Sequence, residues 1–317
     1  MKANRIGFMA SICMAIATLA ACGGSSSLAP SPFDSAQGNT ARGTAADSAT
    51  DLLYVSDTIT SDVYVFSYPQ GKLAQTLTGF ADPAGECVDK SGDVFVTNTG
   101  ASNVLEYAHG GSSPIATLKD PGFFPVGCSV DPTTGNLAVT NFSSSSSTLG
   151  DVVIYKRAKG RPTGHYSDPN VAEVSLCGYD DAGNLFVDGS GPSSGAFGFA
   201  ELPSGGKKLK DITLDQPITL GGGVQWDGKY ITVGDQSNDT IYRFTIGGSR
   251  GTKAGSTRLR GATQIFQFWI DGSKVIGADA YGGDVGRWKY PAGGRPLKTI
   301  GGLYAPLGVT ISPGAPR

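Results

Sequence analysis

Oxygen-bearing side chains recur along the chain at a spacing of forty-odd residues. They are Asp57, Asn98, Asn141, Asp188, Asp235 and Asp279, where Asp188 stands one place early in its copy, before Gly189. Carboxylate and amide oxygens gathered round one axis would suit a hard cation such as Ca²⁺, or recognise a polar substrate. Asp and Asn also cap their own loops by accepting backbone N–H groups. We favour capping, and Ca²⁺ is the one cofactor that this pattern suggests.

Two glutamates, Glu86 and Glu173, lie in strand-like segments close to the same positions. Glu86 stands out because its counterparts in the other copies of the pattern are apolar. These are Cys128, Cys177, Val224, Phe268 and Val309. A carboxylate in an apolar position must be paired, solvated or protonated. A functional and a structural role for Glu86 both stay open.

Aromatic side chains collect in loops next to the oxygen-bearing positions. They are Phe80, Phe123, Phe124, Phe142, Tyr281 and Tyr304. Together they would form a platform for a sugar, a peptide or another apolar surface. Alternatively they fill the seams between repeats beside Pro83, Pro125 and Pro306, which is the interpretation that we favour.

A repeat of about 45 residues must position all of these side chains. Each copy opens with a five-residue first strand that ends in a turn. The first strands are Gly85–Asp89, Gly127–Asp131, Leu176–Asp180, Gly223–Asp227, Gln267–Asp271 and Gly308–Ser312. Asp caps these turns and Gly supplies a positive φ. A second, a third and a short fourth strand follow, and four strands per copy are typical of a propeller blade.

The ends of the chain set the phase of the repeat. Leu52–Val55, the first ordered segment, matches second strands, whereas Gly308–Ser312 matches first strands. We therefore predict an all-β, six-bladed propeller with four-stranded blades, closed by the C-terminal strand joining the N-terminal blade, so that no edge stays exposed. The loops between second and third strands and those entering each first strand form one face, here the loop face. The opposite side is the turn face.

The histidines and cysteines exclude several chemistries. His109 and His165, the two histidines, are predicted in or near outer turns, so a Ser-His-Asp, Cys-His or His-metal centre lacks its base or ligand. Cys87, Cys128 and Cys177 fall in first strands. Neighbouring first strands are usually too far apart for a disulfide, so buried free thiols are the expectation and a Cys128–Cys177 bond stays open.

The unit Pro83–Val96, with its Val88-Asp89 and Gly92 turn, resembles NHL repeats. It is similar too to NHL-like bacterial lipoproteins whose third strand runs into a Tyr-Pro-x-Gly turn, here Tyr68–Gly71 and Tyr290–Gly293. The resemblance covers residues 51–313 and implies the fold rather than the function. Gluconolactonase-like propellers, related by architecture, hold a metal through Glu, Asn and Asp. Candidates for such a set here are Glu86 or Glu173 with Asn98, Asn141, Asp235 and Asp279, but none of that family's ligands is assigned to a residue of this chain. No local motif of that family is present.

The first fifty residues predict export. A basic start and an apolar stretch lead to Leu19-Ala20-Ala21-Cys22-Gly23, which resembles a bacterial lipobox. We expect a signal peptide over 1–21, lipidation of Cys22, a flexible Ser/Ala/Gly tether over 22–50 and the propeller over 51–317. The chain would then be an exported lipoprotein of the cell envelope, periplasmic or at the cell surface, held to the membrane by its lipid.

Composition narrows the function. Gly is 47 of 317 residues, which argues against a helix bundle. The net charge of −2 gives no reason to expect nucleic acid. Basic residues in outer turns, such as 156–161, are interpreted as solvated. We predict a binding or interaction scaffold for an envelope protein, a glycan or a small molecule. The alternative is a metal-dependent, lactonase-like hydrolase that uses the oxygen ring, and we lean away from an enzyme.

Overall fold

The computed structural model describes residues 49–191 and 195–314, and these form six antiparallel blades without an α-helix. The predicted signal peptide, Cys22 and nearly all of the predicted tether lie outside the described residues. Within the described residues, no helix is long and apolar enough to cross a membrane. The strands run from Leu52 to Ser312, and the predicted fold is confirmed.

Each blade is built on four strands that follow one another outwards from the axis, and blade 5 carries a fifth, short strand at its outer edge. Blade 1 consists of β25 (Pro306–Ser312) innermost, then β1 (Leu52–Asp57), β2 (Asp62–Ser67) and β3 (Leu73–Leu77). Blade 2 consists of β4 (Pro83–Val88), β5 (Val94–Asn98), β6 (Asn103–Tyr107) and β7 (Ala116–Lys119). Blade 3 consists of β8 (Phe123–Val130), β9 (Leu137–Ser144), β10 (Asp151–Tyr155) and β11 (Pro162–Tyr166). Blade 4 consists of β12 (Glu173–Tyr179), β13 (Leu185–Ser190), β14 (Phe197–Leu202) and β15 (Lys210–Asp211). Blade 5 is built on β17 (Gly221–Trp226), β18 (Ile231–Asp235), β19 (Thr240–Gly247) and β20 (Arg250–Arg258). Blade 6 consists of β21 (Ile265–Asp271), β22 (Lys274–Asp279), β23 (Asp284–Lys289) and β24 (Lys298–Gly301). The six innermost strands contact one another in a closed circle.

Blade 1 closes the ring as the repeat phase predicted. The C-terminal strand β25 pairs antiparallel with β1, Leu53 opposite Ile311 and Val55 opposite Val309. Every residue of β25 is buried. The strand therefore supplies both the backbone partner of β1 and apolar surface for its two neighbouring blades.

The sequence did not predict the link between blades 4 and 5. A short strand, β16 (Thr213–Leu214), leaves the outer edge of blade 4 and pairs parallel with β20 of blade 5. Blade 5 therefore has five strands, and its long outer strand β20 is covered where β16 lies against it.

The apolar core lies in the seams between blades rather than at the axis. In one cluster Tyr54 and Val65 of blade 1 pack against Val94 and Val96 of blade 2. Four further clusters join the other successive pairs from blade 2 to blade 6. Each blade is therefore stabilised mainly by its neighbours, because buried apolar area is the principal favourable term in folding.

Aspartates hold the turns between first and second strands, as predicted. Oδ1 of Asp89 accepts the backbone N–H groups of Ser91 and Asp93 at 2.8 and 2.9 Å. Asp180 binds its own turn in the same way. Gly92 adopts a φ of 86°, a conformation that L side chains rarely enter.

Neighbouring innermost strands approach more closely than the sequence suggested. A methyl group on Gly85 of β4 would lie 2.5 Å from the Val126 oxygen of β8, so only glycine permits this contact. With the strands this close, Cys87 and Cys128 form a disulfide whose Cα atoms are 5.7 Å apart. The expectation of free thiols was wrong for these two cysteines, and Cys177 is free and buried as expected.

Candidate functional site

Three acidic side chains of the predicted oxygen ring, Asp57, Asp235 and Asp279, are engaged with their own loops. Asp279 accepts the backbone N–H groups of Thr263, Gln264 and Gly282 and the Thr263 hydroxyl, at 2.6 to 3.0 Å. The carboxylate thereby ties the loop entering β21 to the loop that leaves β22. Its oxygens act as caps in this arrangement.

Asp57 and Asp235 repeat this arrangement in blades 1 and 5. Oδ1 of Asp57 accepts the N–H of Ile59 at 3.1 Å, and Oδ2 accepts the N–H of Tyr304 at 2.7 Å. Asp235 accepts the N–H groups of Thr219 and Leu220 from the loop that enters β17. Each carboxylate therefore joins the two loops that meet at the loop face of its blade.

The asparagines use their amides for similar links. Oδ1 of Asn98 accepts the N–H of Ala81 at 2.6 Å. Nδ2 of Asn141 donates to Asp120 and Asp151 at 3.0 and 2.9 Å. Nδ1 of His165 also lies 2.6 Å from Asp151, so this histidine makes a polar contact in the outer strands of blade 3.

Asp188 does not take the place of a ring member in blade 4. It occupies the position of Thr97 and Thr140, whose hydroxyls bind carbonyl groups of innermost strands. Its Oδ1 accepts the N–H of Leu176 at 2.7 Å, while Oδ2 is buried without a hydrogen-bond partner. Burial raises the pKa of this carboxyl to about 7.

Glu173 accepts a hydrogen bond from the Ser190 hydroxyl at 2.6 Å, at the loop-face end of blade 4. Among residues 49–191 and 195–314, no three His, Cys, Asp or Glu side chains are grouped so that they could hold one metal ion. The calcium site stays a prediction, without a cluster of acidic ligands behind it.

The predicted aromatic residues do not share one environment. Phe80 is buried and packs on Tyr107 with ring centroids 6.0 Å apart. Phe123 contacts the His165 ring, with centroids 5.2 Å apart, and Phe124, Phe142 and Tyr304 are partly buried. Tyr281 alone of the six is widely exposed, at 63%. The binding platform stays a prediction, whereas the packing of Phe80 fits the seam interpretation.

A cavity of about 270 Å³ lies at the axis, surrounded by the innermost strands of blades 2 to 6. Its wall comes from the carboxyl-terminal halves of these strands and from the first turn residues of blades 3 and 4. Those halves lead into the turn face, because each innermost strand starts at the loop face. Of all the predicted site residues, Glu86 alone contributes to this wall.

Four aromatic residues that the sequence analysis did not predict as site residues line the wall of the cavity. They are Tyr179, Trp226, Phe268 and Trp269. Tyr179 and Trp226 stand where blades 2 and 3 have Val88 and Val130, so their departure from the repeat was visible in the sequence. They were missed because the loop face was taken as the functional side.

The inner end of the cavity is closed by side chains that cross between blades. Gln267 donates to the Glu86 carbonyl at 2.7 Å and accepts the Glu86 N–H at 3.0 Å and the Val309 N–H at 3.2 Å. Blades 6, 1 and 2 are linked in this way. The disulfide between Cys87 and Cys128 fixes the adjacent part of the wall.

The Glu86 side chain lies inside the protein, next to the closed inner end of the cavity. It is fully buried, and neither carboxyl oxygen has a hydrogen-bond partner. A methyl group on Gly308 would lie 3.0 Å from Glu86 Cγ, so the chain of Glu86 passes close to blade 1. Burial raises the pKa of the Glu86 carboxyl well above its usual range. The protonated form is therefore favoured.

The cavity lacks the groups that hydrolytic chemistry by a histidine base would need. Neither His109 nor His165 is part of its wall. His109 instead lies 2.6 Å from the Ser312 hydroxyl, in the seam between blades 1 and 2, and so nearer the inner strands than predicted. That hydroxyl donates to the Gly92 carbonyl, so it is a structural link.

Comparison with known proteins identifies the fold. A crystal structure of a nidogen/laminin complex contains a chain with 15% sequence identity and a TM-score of 0.66, covering 83% of this chain and 98% of that one. A protein of unknown function from Bacteroides caccae shows 11% identity and a TM-score of 0.61, covering 83% and 99%. The chain is thus a six-bladed β-propeller. No family model and no curated protein matches it, so the resemblance to NHL repeats stays a prediction.

Proposed function

We propose that this protein is an exported, lipid-anchored binding scaffold that captures a small molecule in the axial cavity. The observation that carries the proposal is the cavity itself, a concave space with aromatic walls and a few polar groups, which is the usual form of a ligand site. Its walls belong to strands that are braced by Gln267 and by a disulfide. A pre-formed site of this kind loses little ordering entropy when it binds.

The disulfide also supports export. Bonds such as Cys87–Cys128 form and persist in oxidising compartments outside the cytosol. Together with the lipobox-like sequence at Cys22, this favours an envelope location. The nidogen/laminin likeness extends to the fold alone, and it is compatible with a scaffold role.

A fragment screen on two matched variants tests the cavity. Val130→Trp would narrow the mouth of the axial cavity at the turn face. Tyr281→Trp instead adds aromatic surface to the loop face, away from the cavity. Fragments should stabilise the wild type and Tyr281→Trp in thermal-shift titrations, by about 2.7 kcal/mol at a hundredfold excess over Kd. Val130→Trp should lose this response. Fragments that bind all three proteins alike, or that are lost only with Tyr281→Trp, would place binding elsewhere and refute the proposal.

The membrane anchor has its own test. The full chain, expressed in a bacterium, should sediment with the membrane fraction, and Cys22→Ala should shift it to the soluble fraction after export. Gly23→Ala, which leaves the lipidated thiol in place, serves as the control. An unchanged distribution of Cys22→Ala would refute lipid anchoring.

A further inference from the structure

The charged side chains in the cavity wall are all acidic. Asp180 and Asp181 contribute carboxylates, whereas the Glu86 carboxyl is fully buried beside the inner end of the cavity and favours its protonated form. No Lys, Arg or His of the described part of the chain belongs to the wall. Carboxylates at the mouth of a cavity with low-dielectric walls attract cations and repel anions.

Asp181 has no structural task in its turn. The neighbouring Asp180 already caps the turn, accepting the N–H groups of Ala182 and Asn184 and the Asn184 side-chain amide. Asp181 is exposed, and within residues 49–191 and 195–314 it forms no hydrogen bond or ion pair. The corresponding residues of the other turns are Lys90, Pro132, Gly228 and Gly272. An acid is therefore not required by the fold at this position, and its carboxylate is free to bind.

The aromatic residues complement this charge. Tyr179, Trp226 and Trp269 line the same cavity as Asp180 and Asp181 and are partly exposed. The face of an aromatic ring attracts an ammonium or guanidinium group within about 6 Å, and tryptophan does so best. The same rings also bury the apolar body of a ligand.

We propose that the axial cavity binds a small organic cation, whose ammonium or guanidinium group pairs with Asp181 at the mouth and whose apolar body lies among Tyr179, Trp226 and Trp269. The proposal rests on the proposed function, because it assigns the ligand class of the same cavity. The volume of about 270 Å³ suits a single aromatic amine rather than a polymer.

Three matched compounds test the charge preference on the purified full chain. Phenethylamine, 2-phenylethanol and phenylacetate share one ring and differ in charge. In calorimetric titrations the amine should bind at least threefold more tightly than the alcohol, and the carboxylate should bind most weakly. Asp181→Asn should weaken amine binding roughly threefold to fivefold, as for an exposed ion pair, and leave the alcohol unaffected. Asp82→Asn removes an exposed charge from the loop face and should change neither affinity.

A second variant addresses the aromatic wall. Trp226→Leu keeps an apolar side chain but removes the ring, so it should lower the affinity for the amine more than for the alcohol. Alcohol or carboxylate binding as tight as amine binding, undetectable amine binding, or full amine affinity in Asp181→Asn would overturn the cationic ligand. The proposed function would survive these results if fragments of other charge bound the wild type and not Val130→Trp.

Discussion

Asp188 and Glu86 are fully buried, and each carboxyl group has at least one oxygen without a hydrogen-bond partner. Oδ1 of Asp188 accepts the Leu176 N–H but its Oδ2 has no hydrogen-bond partner, and neither side-chain oxygen of Glu86 has one. Burial raises the pKa of both groups, and that of Asp188 reaches about 7. The folded protein therefore holds protons at pH values where the unfolded chain has released them.

Asp188 should make stability fall as the pH rises. Its pKa is 3.8 in an unfolded chain and about 7 in the folded protein, so its contribution is complete below pH 3.8 and is lost as the pH rises through 7. The loss is on the order of a few kcal/mol. Asp188→Asn has no carboxyl group to titrate at this position. Its free energy of unfolding should therefore rise relative to that of the wild type between pH 5 and pH 8, as measured by urea denaturation. Glu86→Gln should act in the same direction, and parallel pH profiles of wild type and Asp188→Asn would contradict the assignment.

Asp279 separates a structural cap from a metal ligand. Asp279→Ala removes the acceptor of four hydrogen bonds and should lower the free energy of unfolding by about 3 kcal/mol. Asp279→Asn retains one acceptor oxygen and should cost less. If the group is a cap, Ca²⁺ should leave the melting temperature of the wild type unchanged relative to chelator. A saturable rise with Ca²⁺ that disappears in Asp279→Asn would make the oxygen ring a metal site.

For single residues, the sequence predicts the role of a residue that recurs in every repeat more accurately than the role of a residue that departs from the repeat. The capping of Asp57, Asp235 and Asp279 follows from their recurrence, because a repeated residue serves a repeated task. Asp188 was included in the ring one place early in its copy, and its register is that of Thr97 and Thr140 rather than that of the other ring residues. Whether a departure such as Trp226 faces solvent or the axis depends on tertiary packing, which a single sequence does not contain.

The strands were predictable because their spacing and turns are local features, whereas the distances between blades were not. Gly85 and Gly127 mark the place where β4 and β8 approach, yet glycine is so frequent in this chain that the two carry no distinct signal. The consequence is a disulfide across the seam between blades 2 and 3. It links two blades that otherwise adhere mainly through apolar contacts.

Removal of this disulfide should weaken the seam measurably. The double variant Cys87→Ser/Cys128→Ser should lose about 2–5 kcal/mol of unfolding free energy. Gly85→Ala should lose roughly 1–3 kcal/mol, because its methyl group meets the Val126 carbonyl of the neighbouring strand. Gly247→Ala is the matched control, since a methyl group there meets no atom. Chemical denaturation measures all three, and equal stability of Gly85→Ala and Gly247→Ala would contradict the close approach.

As a whole, the propeller is a ring whose last strand completes its first blade. Six blades bury their apolar faces only against neighbours, so an open ring exposes two seams at once. The strand β25 closes the ring through its pairing with β1 and through contacts with both adjacent innermost strands. Cooperative folding of the propeller therefore depends on a contact between its first and last strands, β1 and β25.

Moving β25 to the other end of the propeller tests this dependence. A chain truncated before Pro306 should aggregate or unfold, because β1 and two seams lose their cover. A circular permutant that places residues 306–314 ahead of Asp51, joined by a short flexible linker, should recover a monomeric protein. Its melting temperature should lie near that of the wild type, since every blade contact is retained. Size-exclusion chromatography and circular dichroism distinguish these states. A folded, monomeric truncation, or a permutant no better than the truncation, would show that closure by this strand is not what stabilises the ring.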